Sequence, residues 1–149
     1  MRLELSDLEA MQALGNRIAE ALQIGDVIAL SGGLGAGKTT LARGIIAGLG
    51  YGGEVPSPTF AIIEVYEPPA LRIPLVHADF YRLNRPEELE ELGLDDYRTG
   101  GVLIAEWPEN AGGFDHEPAC LSLTLEVAEK GRIAIARAGS DWLGREPWK

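Results

Sequence analysis

The sequence predicts one α/β domain spanning residues 1–149, a mixed parallel and antiparallel sheet flanked by helices, and three patterns point to it. Continuous apolar runs of the kind buried parallel strands show, Val27–Leu30 and Val102–Ala105, alternate with segments of helical spacing. Two strand-like runs, 60–67 and 73–80, are separated by the short stretch Pro68–Arg72, which is too brief for a crossover helix, so as neighbours they pair antiparallel. The closing runs, 119–127 and 132–138, alternate with period two about the turn Ala128–Gly131, as the arms of a hairpin do. A chain of 149 residues has enough core to fold without a staple, and its single cysteine, Cys120, has no internal disulfide partner.

In chain order, residues 2–5 form a short strand. Ser6 with Glu9 three positions on forms a capping box, and Leu8, Met11, Leu14, Ile18 and Leu22 then carry a helix to about residue 23. Gly25 and Asp26 break it before the strand 26–31. A glycine-rich stretch follows, and residues 38–49 return to helical spacing with Leu41, Ile45 and Leu49 on one stripe. Gly44 and Gly48 cost that helix about 1 kcal/mol each against alanine, which implies a close approach, expected here to the sheet. Pro86 sits at a first-turn position and opens a short helix over 87–93. The order β-α-β-α-β-β-α-β-β-β contains no repeat and no linker.

The charge balance narrows function. Thirteen Lys and Arg face 23 Asp and Glu, a net charge of −10 at pH 7, and only three of the bases are lysines. A protein that grips nucleic acid over a broad surface needs the opposite balance, so DNA is not an expected partner. Six of the acids lie within residues 87–96, namely Glu87, Glu88, Glu90, Glu91, Asp95 and Asp96. That segment reads either as a solvated helix face or as a docking surface for a basic partner. No uncharged stretch is long enough to span a bilayer, and acids stand where a secretory signal has its apolar run, so a cytoplasmic location is expected.

Gly32-Gly33-Leu34-Gly35-Ala36-Gly37-Lys38-Thr39 matches G-x-x-x-x-G-K-[ST] in full, between a strand and a helix, the context that separates a P-loop from a chance match. The expected fold is therefore a P-loop NTPase-like domain. Backbone N–H groups over Gly33–Thr40 and the positive helix end would cradle phosphates, Lys38 would bring a point charge, and the Thr39 hydroxyl would ligate Mg²⁺. The Lys38 side chain is expected to be exposed. Hydrolysis needs, in addition, an acid at the end of a neighbouring strand. Asp79 ends Ile73–Asp79 and Glu106 ends Val102–Glu106, and a carboxylate on an apolar strand face is unfavourable unless paired or metal-bound. His77 shares the face of Asp79 and reads equally as a hydrogen-bonded strand histidine or a functional one. None of Asn16, Asn84 and Asn110 is followed by lysine, so the Asn-Lys-x-Asp guanine signature is absent and ATP is favoured over GTP.

Four islands then carry a family resemblance: Leu34–Thr40, Ser57-Pro58-Thr59-Phe60, His77-Ala78-Asp79-Phe80-Tyr81-Arg82-Leu83 and Glu106-Trp107-Pro108-Glu109. In these the chain resembles the TsaE family, bacterial ATPases of tRNA threonylcarbamoyladenosine synthesis. The resemblance implies an ATP- and Mg²⁺-dependent accessory to the TsaB and TsaD proteins, with tRNA engaged indirectly. It also implies roles for single residues. Lys38 and Thr39 match the phosphate-binding lysine and the metal-ligating hydroxyl, and Thr59 matches a threonine in a switch-like loop near the γ-phosphate. Asp79 and Glu106 match acids that handle metal and water, Glu106 being preferred for the metal and Asp79 for water. Gly33 departs from the family, many members having Asp, Glu or Pro there. Trp107 neighbours the site as a partner-facing or a packing residue, Arg82 either stabilises transferring charge or pairs with surface acids, and Phe80 and Tyr81 read as packing. Two alternatives remain. One is a small-molecule kinase, which would need an arginine-rich lid that ten scattered arginines do not form. The other is an interaction module that hydrolyses ATP only when a partner completes the site.

Overall fold

The computed structural model describes residues 1–56 and 63–148. Seven strands form one sheet: β1 (Arg2–Leu5), β2 (Val27–Gly32), β3 (Ile63–Tyr66), β4 (Leu75–Asp79), β5 (Val102–Glu106), β6 (Cys120–Val127) and β7 (Arg132–Ala138), in the spatial order β1-β7-β6-β2-β5-β4-β3. The helices are α1 (Leu8–Ala21), α2 (Lys38–Gly48), α3 (Glu88–Leu92) and α4 (Leu94–Arg98). Strands β4, β5, β2 and β6 run parallel, whereas β3 and β7 run against them. The mixed sheet is thus the expected one. Described parts of the run 60–67 and of 73–80 pair antiparallel, Ile63 opposite Ala78, and the closing hairpin sets Val127 opposite Arg132.

Strand periodicity divides the core into two layers. Along β2, Ile28 and Leu30 pack with Leu14, Ile18, Leu41 and Ile45 of α1 and α2, while Val27 and Ala29 face a second cluster containing Phe80, Leu94 and Phe114. Parallel order brings the carboxyl ends of β2, β4 and β5 to one edge, where open α/β sheets bind their ligands. The last residues close the opposite end. Trp142 is fully buried and its Nε1 donates to the Ala119 carbonyl at 2.8 Å, while Arg145 grips Asp26 through two hydrogen bonds of 2.7 Å.

Several local expectations are corrected. Asp7, not Ser6, caps α1: its Oδ1 accepts the Ala10 N–H at 2.9 Å, because the helix starts one residue later than the capping-box pattern places it. Gly44 and Gly48 face α1 rather than the sheet. A Cβ on Gly48 would lie 2.7 Å from the Ala19 Cβ, and one on Gly15 would lie 2.8 Å from the Gly44 carbonyl carbon. The short helix expected over 87–93 is α3, and a further one not expected, α4, follows it, since Gly93 adopts φ 72° and turns the chain between them. Residues Pro108–Ala111, to which the sequence pattern assigns no element, form one 3₁₀ turn. Among the described residues no helix is long and apolar enough to cross a membrane.

Candidate functional site

The P-loop leaves β2 at Gly32 and enters α2 at Lys38. At Gly32, with φ 138°, a Cβ would sit 2.4 Å from the Leu125 carbonyl oxygen, so any side chain collides with the β6 backbone. Gly37 precedes the helix at φ 108°, a left-handed conformation that glycine adopts without strain. Gly33 faces open space, so a side chain there would meet no obstruction. No side chain caps the α2 N-terminus. Instead, Gly37, Lys38, Thr39 and Thr40 line a cavity of about 330 Å³, an arrangement suited to an anion because the first-turn N–H groups and the helix dipole both point at it.

The two predicted acids reach this cavity from the ends of adjacent strands, Asp79 opposite Glu106 in the β4–β5 register. Glu106 is 1% exposed and both of its oxygens are engaged. Oε1 accepts the Thr39 hydroxyl at 2.8 Å, and Oε2 lies 2.6 Å from His77 Nε2. The other ring nitrogen of His77, Nδ1, is buried without a hydrogen-bond partner. An unpaired buried N–H is costlier than a bare lone pair, so the tautomer with its proton on Nε2, donated to Glu106, is assigned. His77 therefore belongs to the site as the group that orients Glu106. Asp79 is 6% exposed, and its Oδ1 accepts the Tyr81 N–H at 2.9 Å.

Lys38 is not open to solvent as expected but 6% exposed. Its ammonium donates to the Gly32 and Gly33 carbonyls at 2.7 Å each and lies 4.4 Å from the Trp107 ring centroid, so loop carbonyls and an indole face take the place of water. Burial lowers the Lys38 pKa from its ordinary value, opposed by the charges of Glu106, Asp79 and Glu109. Trp107 is the one non-glycine residue with positive φ, 56°, among the described residues. That turn starts the 108–111 segment directly after Glu106 and brings the indole over the loop, against Tyr81 at 5.0 Å. Tyr81 thus lines the cavity instead of merely packing, whereas Phe80 is fully buried against Phe114.

Leu34, Gly35, Gly37, Lys38, Thr39 and Thr40 line the cavity, whereas the Gly33 carbonyl accepts from Lys38 and the Ala36 carbonyl from Arg132. Thr59 lies outside the described residues. Arg82 is exposed and does not line the cavity; the arginine that does is Arg132 of β7, which sequence inspection passed over. Its Nε donates to the Ala36 carbonyl and its Nη2 to the Gly35 carbonyl, both at 3.1 Å. Nothing local marks Arg132, which is 97 residues from Gly35 and reaches it only because β7 pairs beside β6.

Among the described residues no cluster of three or more His, Cys, Asp or Glu forms a metal cage. The donor set present, one hydroxyl and one carboxylate beside a phosphate cradle, instead fits Mg²⁺, a hard cation that takes one or two protein oxygens and completes its shell with phosphates and water.

A family model described as threonylcarbamoyl adenosine biosynthesis protein TsaE matches residues 5–135. The chain belongs to the TsaE family. The TsaE match includes every element that lines the cavity, from the P-loop to Arg132. The curated tRNA threonylcarbamoyladenosine biosynthesis protein TsaE of Streptomyces coelicolor is 49% identical over 100 residues, 66% of this chain and 68% of that protein. The TsaE of Bacillus subtilis is 41% identical over 134 residues, 89% of this chain and 75% of its own length. A crystal structure of Bacillus subtilis YdiB superposes with a TM-score of 0.71 at 30% identity, covering 95% of this chain and 86% of that one.

Proposed function

We propose that this TsaE-family protein is a Mg²⁺-dependent ATPase of tRNA threonylcarbamoyladenosine synthesis, a single cytoplasmic domain working with TsaB and TsaD. The observation that carries this is the convergence of Lys38, Thr39, Asp79 and Glu106 on one cavity at an uncapped helix N-terminus. Lys38 and the α2 N–H groups bind and orient the phosphates. Thr39 and Glu106 hold Mg²⁺, which when bound neutralises charge on the phosphate oxygens. Asp79 orients the attacking water, with Thr59 joining it on the strength of the family resemblance. Among the described residues the one arginine lining the cavity, Arg132, is tied to loop carbonyls, which favours slow turnover by the protein alone and acceleration by its partners. The small-molecule kinase alternative draws no support from the relatives, which are TsaE proteins.

The test is ATP turnover with and without a TsaB–TsaD pair, with Glu106→Ala as control. Slow basal hydrolysis, marked stimulation and its loss in Glu106→Ala are expected. Equal rates with and without the pair would contradict the proposal, and a phosphorylated small-molecule product would favour a kinase.

A further inference from the structure

We infer that Asn110 positions the Asp79 carboxylate for the reaction, acting through the Phe80–Tyr81 peptide group. This rests on the ATPase reading proposed above, in which Asp79 orients the attacking water, and adds to it a residue that does not line the cavity. The two strands that carry the acids end side by side, and the chain leaves each by a tight turn. After β4 it turns over residues 80–83, the Leu83 N–H donating to the Phe80 carbonyl at 3.0 Å. After β5 it enters the 3₁₀ turn 108–111, in which Pro108 and Ala111 are buried and the Asn110 N–H donates to the Trp107 carbonyl at 3.1 Å. From this second turn the half-buried Asn110 side chain reaches the first. Its Nδ2 donates to the Phe80 carbonyl at 3.1 Å and to the Tyr81 carbonyl at 3.4 Å. Both partners are acceptors, so the amide is assigned with its NH₂ toward them.

The Phe80 carbonyl belongs to the same peptide group as the Tyr81 N–H, which donates to Asp79 Oδ1 at 2.9 Å. That group is planar and trans, so its oxygen and its hydrogen point in opposite directions, and holding one fixes the aim of the other. Contacts thus run from the Asn110 amide to the Phe80 oxygen, across the peptide, and from the Tyr81 hydrogen to the carboxylate, each bond polarising the next. The Leu83 bond closes the 80–83 turn on itself and would travel with it. The Asn110 bond ties that turn to a separate element, the one that begins at Trp107 and so carries the indole over Lys38.

Two measurements on the full chain test this role: ATP turnover in the presence of a TsaB–TsaD pair, and amide hydrogen exchange of the unliganded protein followed by NMR. Asn110→Leu, similar in size and without a donor, is expected to lower kcat about tenfold to a hundredfold while KM for ATP stays within about twofold, because Lys38 and Thr39 are untouched. In the same variant the Tyr81 amide is expected to exchange about tenfold faster, with the amides of β2 and β5 keeping their rates. Asn110→Gln, which keeps the amino donor, stays closer to the parent in both. Unchanged Tyr81 exchange overturns the inference, as does a uniform acceleration across the sheet, which marks a merely structural role, or a loss confined to KM. If the unaltered chain turns over no ATP with the pair present, the ATPase reading falls, and the exchange measurement by itself decides whether Asn110 holds the Asp79 turn.

Discussion

Gly15→Ala and Gly44→Ala, two substitutions facing each other across the α1–α2 seam, are expected to shift stability in opposite directions. Both replace a helix-interior glycine by the best helix former, a gain of about 1 kcal/mol from propensity. At Gly44 that gain is kept, because the new Cβ meets its nearest neighbour, the Gln12 Cα, at 3.7 Å, an ordinary contact. At Gly15 the Cβ would stand 2.8 Å from the Gly44 carbonyl carbon and 3.0 Å from the Ile45 nitrogen, backbone atoms that cannot rotate aside. Overpacking costs about 1–3 kcal/mol, toward the upper end here, so the net loss is about 1–2 kcal/mol. In a chain of this size about 2–4 °C of Tm accompanies each kcal/mol, so Gly44→Ala should melt about 3 °C higher and Gly15→Ala about 2–8 °C lower. Calorimetric melts of both variants decide the matter. Because α2 carries Lys38 and Thr39 at its start, Gly15→Ala should also weaken ATP binding. A Gly15→Ala protein as stable as the parent would refute the close helix approach as the reason for these glycines.

The Asp26–Arg145 pair and His77 carry two further expectations. Asp26 is 2% exposed and Arg145→Met would leave its carboxylate with the Gln23 N–H alone, a loss of about 3 kcal/mol and a clear fall in the urea midpoint. The double variant Asp26→Leu with Arg145→Met should recover part of it, since no orphaned charge remains; a single variant within 1 kcal/mol of the parent would sink the idea. His77→Leu should weaken Mn²⁺ binding in the presence of ADP about tenfold, read by electron paramagnetic resonance, with His77→Gln, which keeps a donor, closer to the parent. Equal Mn²⁺ affinity in all three proteins would show that His77 does not orient Glu106.

How much of this was legible in the residues depends on the range of each interaction. The P-loop could be read directly, because its function is a backbone shape written in consecutive glycines followed by Lys38 and Thr39 between a strand and a helix. Asp79 and Glu106 could be read as candidates, since an acid closing an apolar strand is conspicuous by itself. Their neighbours were less legible: Tyr81 looked like packing until the turn at Trp107 set the indole against it at the cavity, and the pattern Ser6–Glu9 concealed that Asp7 caps α1. Period and composition, which act over a few residues, thus determined the α/β class, the β3–β4 and β6–β7 pairings and the phosphate loop. Strand order decided what no local pattern contains. It set Glu106 between Thr39 and His77, brought Arg132 to the P-loop from β7, and matched Arg145 to Asp26, because side-chain bonds join whichever residues the sheet makes neighbours, however far apart they stand in the chain.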